Sequence, residues 1–493
     1  SIERGISVGR RLGDAVGMHF DYCRDQDWVA GSSNDFDRAY PWSEMKLCNI
    51  ISEGEERVVV YEGDPGFEYD GSNGNVMVEI PKFYVKRIQK DDKEQIWISG
   101  TEHTGYVLDP VFMDNGEEKD YVYVGAYAGV EEDGVLLSKA DSYPCVNVPY
   151  EDIRSMAREN GTGFREIGYN MYSAIQKLFL VETGCLDSSS LMAGEQDLYY
   201  FSLNKDYNNK NTGIALQSVQ ASNRIVVNDF SATEKLEEGS SVIFLNVTDG
   251  WEAMEKAGGP NGTDEVERDD RKKTDEEDET EITGGCCREI TSVVADGGHI
   301  EICFDGDPID IRAGETVIAS YPSKTGKTGE INYCTGFLTD NNGRHGFKYR
   351  NIENLYGSQM VMLGADAYLK NGTFYFTDGE GEEQKLDAYI PEQNMGLDGG
   401  LSEHNNTNDI CIKKMSYDKD NPTVMLPVEF GASTYSYYGD YYYYKPADDE
   451  KEYYICVGDP MNSKRGGGLF EMRAIIDTDD FARYYCGGRL MYR

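Results

Sequence analysis

From residue 64 onward the chain falls into short apolar–polar alternations broken by Gly, Asn and Asp. Val76 to Ile88 alternates with a period of two and is interrupted by Pro81, which predicts a strand broken at the proline. KEQIWISG (93–100) and DYVYVGAYAGV (120–130) predict further strands. Between 150 and 184 the period changes. Asp152 to Glu159 reads as a short helix stopped at Asn160-Gly161. Gly168 to Thr183 places Met171, Ile175, Leu178 and Phe179 at helical spacing, with Gly184 as a stop, and predicts a core-packed helix.

A different rhythm runs from about 216 to 327. NRIVVNDF, SSVIFLNV, REITSVVAD, HIEICFD and ETVIASYP are short β runs separated by turns, the pattern of a small barrel. The mixed-charge residues 264–281 between the second and third runs hold too few apolar side chains to fold and predict a solvated loop. Residues 328–493 return to aromatic, turn-rich sequence. The expected organisation is an N-terminal segment (1–60), one domain in two parts (61–215 and 328–493), and an inserted β-barrel domain (216–327). The expected class is α+β, mostly β and irregular.

Composition narrows the partners. A net charge of −42 repels phosphate backbones and anionic lipid, so neither nucleic acid nor a membrane surface is an expected partner. No apolar run approaches the roughly 18 residues of a spanning helix, so no membrane insertion is expected. The 11 cysteines contain no CxxC pair or zinc spacing and predict reduced thiols in a protein assembled in a cytoplasm. His19, His103, His299, His345 and His404 lack ligand spacing, and no phosphate-binding, nucleophile-elbow or HExxH motif occurs. Asp305 to Asp310 and Tyr69 to Asn75 resemble calcium loops in composition but lack EF-hand spacing, and predict turns. No catalytic residue, metal or cofactor is expected.

One feature asks for a function. Of the 36 tyrosines, 12 fall in the last 59 residues, and the stretch Gly431 to Tyr444 reads GASTYSYYGDYYYY. Tyrosine offers large contact area, few rotatable bonds and a hydroxyl, which suits a recognition surface. Consecutive tyrosines 441 to 444 must alternate between the faces of any strand, so at least two are expected to meet solvent or a partner.

Several strings, in order over most of the chain, carry a resemblance: GDAVGM (13–18), PGFEYDGSNGNVMVEIPKFY (65–84), GYVLDPVF (105–112), YVGAYAG (123–129), NGTGF (160–164), LFLVETG (178–184) and YRNIENLYGSQMVMLGAD (349–366). The sequence resembles phage and prophage tail-fibre proteins with a C-type-lectin-like fold related to formylglycine-generating enzymes. Val457 to Leu490 is similar to the variable region of proteins diversified by reverse-transcriptase-based retroelements, in which Asn codons are altered at adenines. In those proteins GLF and GGRL hold a frame while positions between them change. The resemblance implies a ligand-binding set of Tyr435, Tyr437, Tyr442, Pro460, Asn462, Ser463, Gly466, Arg473, Ile475, Ile476, Asp479, Asp480, Arg483, Tyr484 and Tyr485.

It also implies the role: a receptor-binding protein at a virion tail tip, assembled in the host cytoplasm, whose partners are a bacterial surface protein or glycan and other tail proteins. Such fibres commonly form homotrimers. A diversified binding protein on the bacterial cell surface is the alternative, and an oxidase like the formylglycine-generating enzymes a more distant one. The lectin calcium triplets are missing, and no paired catalytic cysteines stand near Cys456 or Cys486.

Overall fold

The computed structural model describes residues 15–21, 26–28, 36–53, 56–91, 93–146, 148–192, 194, 212–228, 236–247, 282–328, 346–364, 366–378, 380–389, 411–431, 438–444, 450–458, 467–476 and 486–493. Among these the protein is mostly β, with 35 strands against three α-helices. The chain divides into two compact units, one made of Ser1–Gln196 with Lys324–Arg493 and the other of Asp197–Ser323.

In the first unit the strand Asn75–Pro81 is buried along its whole length between Lys46–Glu53 and Tyr121–Gly125. A strand covered on both faces calls for apolar residues on both, and Val76, Met77, Val78 and Ile80 supply them, while the buried Glu79 between them accepts from the Tyr61 and Tyr123 hydroxyls. Pro81 ends that strand, and the chain turns at Lys82–Phe83 into Tyr84–Lys90, which belongs to a different sheet. The single interrupted strand read from the sequence is therefore two strands in two sheets with the proline at the corner. Residues 15–53 are not a separate segment either. Ala15–Asp21 pairs with Lys93–Ser99 over seven positions, and Lys46–Glu53 pairs with Asn75–Pro81. The C-terminal strand Leu490–Tyr492 lies between Tyr121–Gly125 and Phe164–Glu166, so early and final segments share one sheet.

Two helices position the rest. The helix α1 spans Tyr150–Arg158 and buries Tyr150, Ile153 and Ala157. The helix α2 spans Tyr169–Thr183 and buries every residue from Tyr169 to Glu182, as a helix surrounded by protein on all sides does. Its first turn is capped from outside: Tyr169 N–H and Asn170 N–H donate to the Asp366 carboxylate at 2.7 and 3.1 Å. The cap explains Gly168, because a Cβ there would lie 2.5 Å from Asp366 Oδ2. Gly184 closes the helix in the left-handed region at φ 59°.

In the second unit the strands run in the order Thr212–Ile214, Thr316–Ser320, Ser241–Val247, Ile282–Asp296, His299–Phe304, Arg224–Asn228. An antiparallel bridge between Ala215 and Val227 joins the two outer members. Val227, Val242, Phe244, Ile302, Phe304 and Ile318 form its core, with the Phe244 and Phe304 rings 4.4 Å apart. All five β runs anticipated here form strands. The unit begins earlier than the expected residue 216 and takes in Thr212–Ile214. Residues 264–281 lie outside the described residues.

Candidate functional site

The C-terminal sheet is organised around Tyr453–Val457. On one edge it pairs with Met360–Met362 and Ala367–Lys370, and on the other with Met472–Ile476. Met472–Ile476 pairs in parallel with Tyr442–Tyr444, and Met360–Met362 in parallel with Cys486–Gly487. These directions bring four points of the chain to one end of the sheet: Tyr438, Gly458, Gly467 and Cys486. Each borders a segment outside the described residues, namely 432–437, 459–466 (both of whose ends lie here) and 477–485.

The sheet has two buried faces. Tyr453, Ile455, Val457, Met472, Ala474, Tyr442 and Tyr444 belong to the main core. Met360, Met362, Cys456, Ile475 and Cys486 alternate with them and pack with Tyr150 of α1 in a small second cluster. That second cover decides the fate of the tyrosine run. Tyr441 is 7% exposed, Tyr442 and Tyr444 are 0% exposed, and Tyr443 is half-buried. Only Tyr443 is left partly open, short of the two expected to meet solvent or a partner. Tyr442 stacks on Phe430 at 4.6 Å and Tyr444 meets Tyr453 edge-on at 5.5 Å, so Tyr442 is a core residue and not part of a binding face.

Arg473 and Ile475 are likewise corrected. Both sit on the face turned away from the main core, but Arg473 is 9% and Ile475 7% exposed. Arg473 Nε donates to Glu471 Oε1 at 2.9 Å, and Ile475 packs in the second cluster. Ile476 is the last residue of its strand, paired with Tyr453. Tyr435, Tyr437, Pro460, Asn462, Ser463, Gly466, Asp479, Asp480, Arg483, Tyr484 and Tyr485 lie outside the described residues.

The frame around those segments is specific. Phe470 N–H donates to Asp440 Oδ2 at 2.8 Å, and Leu469 N–H donates to Ser188 Oγ at 2.8 Å. The Leu469 carbonyl accepts from Gln176 Nε2 of α2 at 2.9 Å. Gly468 has no room for a side chain, since a Cβ would fall 2.3 Å from Asp440 Oδ1. Asp440 is fully buried, and burial holds its carboxyl well above the ordinary carboxylate range, with Asp187 and Glu471 adding to the rise. Arg489 of the GGRL string, 1% exposed, donates Nη1 to the Gly125 carbonyl at 2.7 Å and Nη2 to the carbonyls of Glu353 and Asn354 at 2.5 and 2.9 Å. Burial lowers its pKa to about 10. The residues Gly467–Phe470 and Cys486–Leu490 are thus buried and tied to α2, to the IENLYG segment and to the strand Tyr121–Gly125. The sequence assigns a framing role to GLF, GGRL and Asp440 but does not announce Ser188 and Gln176, which only the folded chain brings to them.

Cys456 and Cys486 share the second cluster, and Cys486 Sγ lies 3.7 Å from Met360 Sδ. Burial first, then the Cys486 thiol, pushes the Cys456 thiol well above its usual range. Both are free thiols, carried by strands that pair with Met360–Met362 on its two opposite edges. Among the described residues no group of three or more His, Cys, Asp or Glu could hold a metal ion. No family model and no curated protein sequence matches the chain.

Proposed function

We propose that the protein is a receptor-binding protein of a phage or prophage tail tip, which meets a bacterial surface molecule with the end of its C-terminal sheet. The observation that carries this reading is the gathering of Tyr438, Gly458, Gly467 and Cys486 at one end of a buried, hydrogen-bonded frame. Segments that start and finish on such a frame can change sequence at little cost to the fold, because the frame is tied to α2, Ser188 and Asp440 by hydrogen bonds of its own. Eleven of the 15 residues in the proposed binding set fall in those segments. Arg473, Ile475 and Tyr442 belong to the frame, as does the backbone of Ile476.

The C-type-lectin-like fold belongs to the same proposal. It is supported by the early and final strands sharing one sheet, and the inserted barrel by the bridge from Ala215 to Val227. An oxidase reading fares worse. Cys456 is 0% and Cys486 1% exposed, so neither thiol reaches a substrate in this conformation. Sequencing the gene in sister isolates tests the diversification: substitutions should concentrate in 459–466 and 477–485 and spare Gly467–Met472 and Cys486–Leu490. An even spread over the C-terminal region would refute it.

A further inference from the structure

We propose that Lys177 Nζ and Asp109 Cγ join in an intramolecular amide, a covalent cross-link between α2 and the turn that opens the short helix Pro110–Phe112. Lys177 and Asp109 are both 0% exposed. Nζ lies 3.0 Å from Asp109 Oδ2, yet that oxygen makes no hydrogen bond of proper geometry. The amine therefore stands against the carboxyl without a well-formed hydrogen bond to the oxygen that faces it.

Both groups are held rigidly. Asp109 caps the short helix, its Oδ1 accepting from Val111 N–H at 3.2 Å, while its own N–H donates to the Phe83 carbonyl. Lys177 donates to the Thr423 carbonyl at 2.7 Å from the middle of a buried helix. Phe83, whose carbonyl takes the Asp109 N–H, and Phe112 of the short helix pack edge-on with ring centroids 5.1 Å apart. The adjacent Arg87 is fixed by Glu94 at 2.6 Å and by the carbonyls of Ser416 and Val424 at 2.8 Å each.

The chemistry needs a neutral amine facing a neutral carboxyl, a combination that water does not allow at any one pH. Burial pushes the pair toward it by acting oppositely on the two groups. Desolvation raises the Asp109 carboxyl and lowers the Lys177 amine, each against the attraction of the other, and the positive Arg87 lowers Lys177 further. The Nζ lone pair attacks Cγ and forms the C–N bond. Oδ1 carries the developing negative charge on the Val111 N–H. Oδ2, with the carboxyl proton, takes one amine proton and leaves as water. The remaining N–H keeps its bond to the Thr423 carbonyl. One water is lost, and no oxidant or cofactor enters. Fixed placement in a dry core supplies the effective concentration that free amine and acid lack.

Mass spectrometry of the purified full chain tests this. The denatured protein should weigh one water less than its sequence. Trypsin should leave a branched species joining residues 94–119 to 166–205, because a Lys177 in amide linkage resists cleavage. Lys177→Arg, which keeps the charge but is a far poorer nucleophile, should restore the sequence mass. A wild-type chain at full sequence mass that releases a linear 166–177 peptide would overturn the proposal and leave an ordinary buried ion pair. The wild-type peptide map decides the matter even if the variant does not fold.

Discussion

Replacing Gly468 with Ala strikes the frame at one atom. The added Cβ would lie 2.3, 2.6 and 2.7 Å from Oδ1, Oδ2 and Cγ of Asp440. Those atoms are not the free end of a flexible chain: Asp440 is 0% exposed and Oδ2 is committed to Phe470 N–H. To admit the methyl group, the carboxyl must leave Phe470 N–H unsatisfied, at about 1–3 kcal/mol. Crowding the core costs about 1–3 kcal/mol more. The expected loss is about 2–6 kcal/mol in urea unfolding followed by tyrosine fluorescence. Asp440→Ala alone loses the same cap but makes space, so adding Gly468→Ala to it should cost almost nothing further. The double-mutant cycle should thus show a coupling of at least about 1.5 kcal/mol, whereas additivity within about 0.5 kcal/mol would mean that the two residues do not meet as described.

Other consequences follow from the same contacts. Because the folded chain holds the Asp440 proton more tightly than the unfolded chain, its contribution falls as pH rises above the ordinary carboxylate range. Asp440→Asn should flatten that part of the pH–stability curve, and an unchanged slope would show that Asp440 is ionised in the fold. Asp366→Ala should destabilise by about 0.5–2 kcal/mol through loss of the α2 cap, with no effect expected only if Tyr169 and Asn170 find another acceptor. Phe244→Ala should cost about 3–5 kcal/mol in the unfolding of the second unit, and a cost below 1 kcal/mol would contradict a core built on the Phe244–Phe304 pair.

What the sequence revealed was local. The helical spacing of Met171, Ile175, Leu178 and Phe179 led to α2 within a residue at its start, and the alternating runs of the second unit all became strands. What stayed hidden depends on partners distant in the chain. Nothing near Gly168 announces that Asp366 caps its helix, and nothing near Asp440 announces Phe470. The tyrosine run misled for a related reason. Alternation correctly sends Tyr442 and Tyr444 to one face, but both faces of that sheet are covered, the second in part by Tyr150 from nearly 300 residues earlier. Burial of a second face leaves no mark on a strand so rich in one amphipathic residue. Lys177 was equally silent, a charged residue inside an apolar helix whose partner lies 68 positions away.

The central claim, that a fixed frame carries exchangeable recognition segments, is tested most directly by swapping 459–466 and 477–485 for those of a sister isolate that adsorbs to different bacteria. The chimaera should bind the donor's cells in a sedimentation assay and unfold at the parent's thermal midpoint, within a few degrees. Retention of the parent's cell preference, or a collapse of the midpoint on exchange, would contradict it.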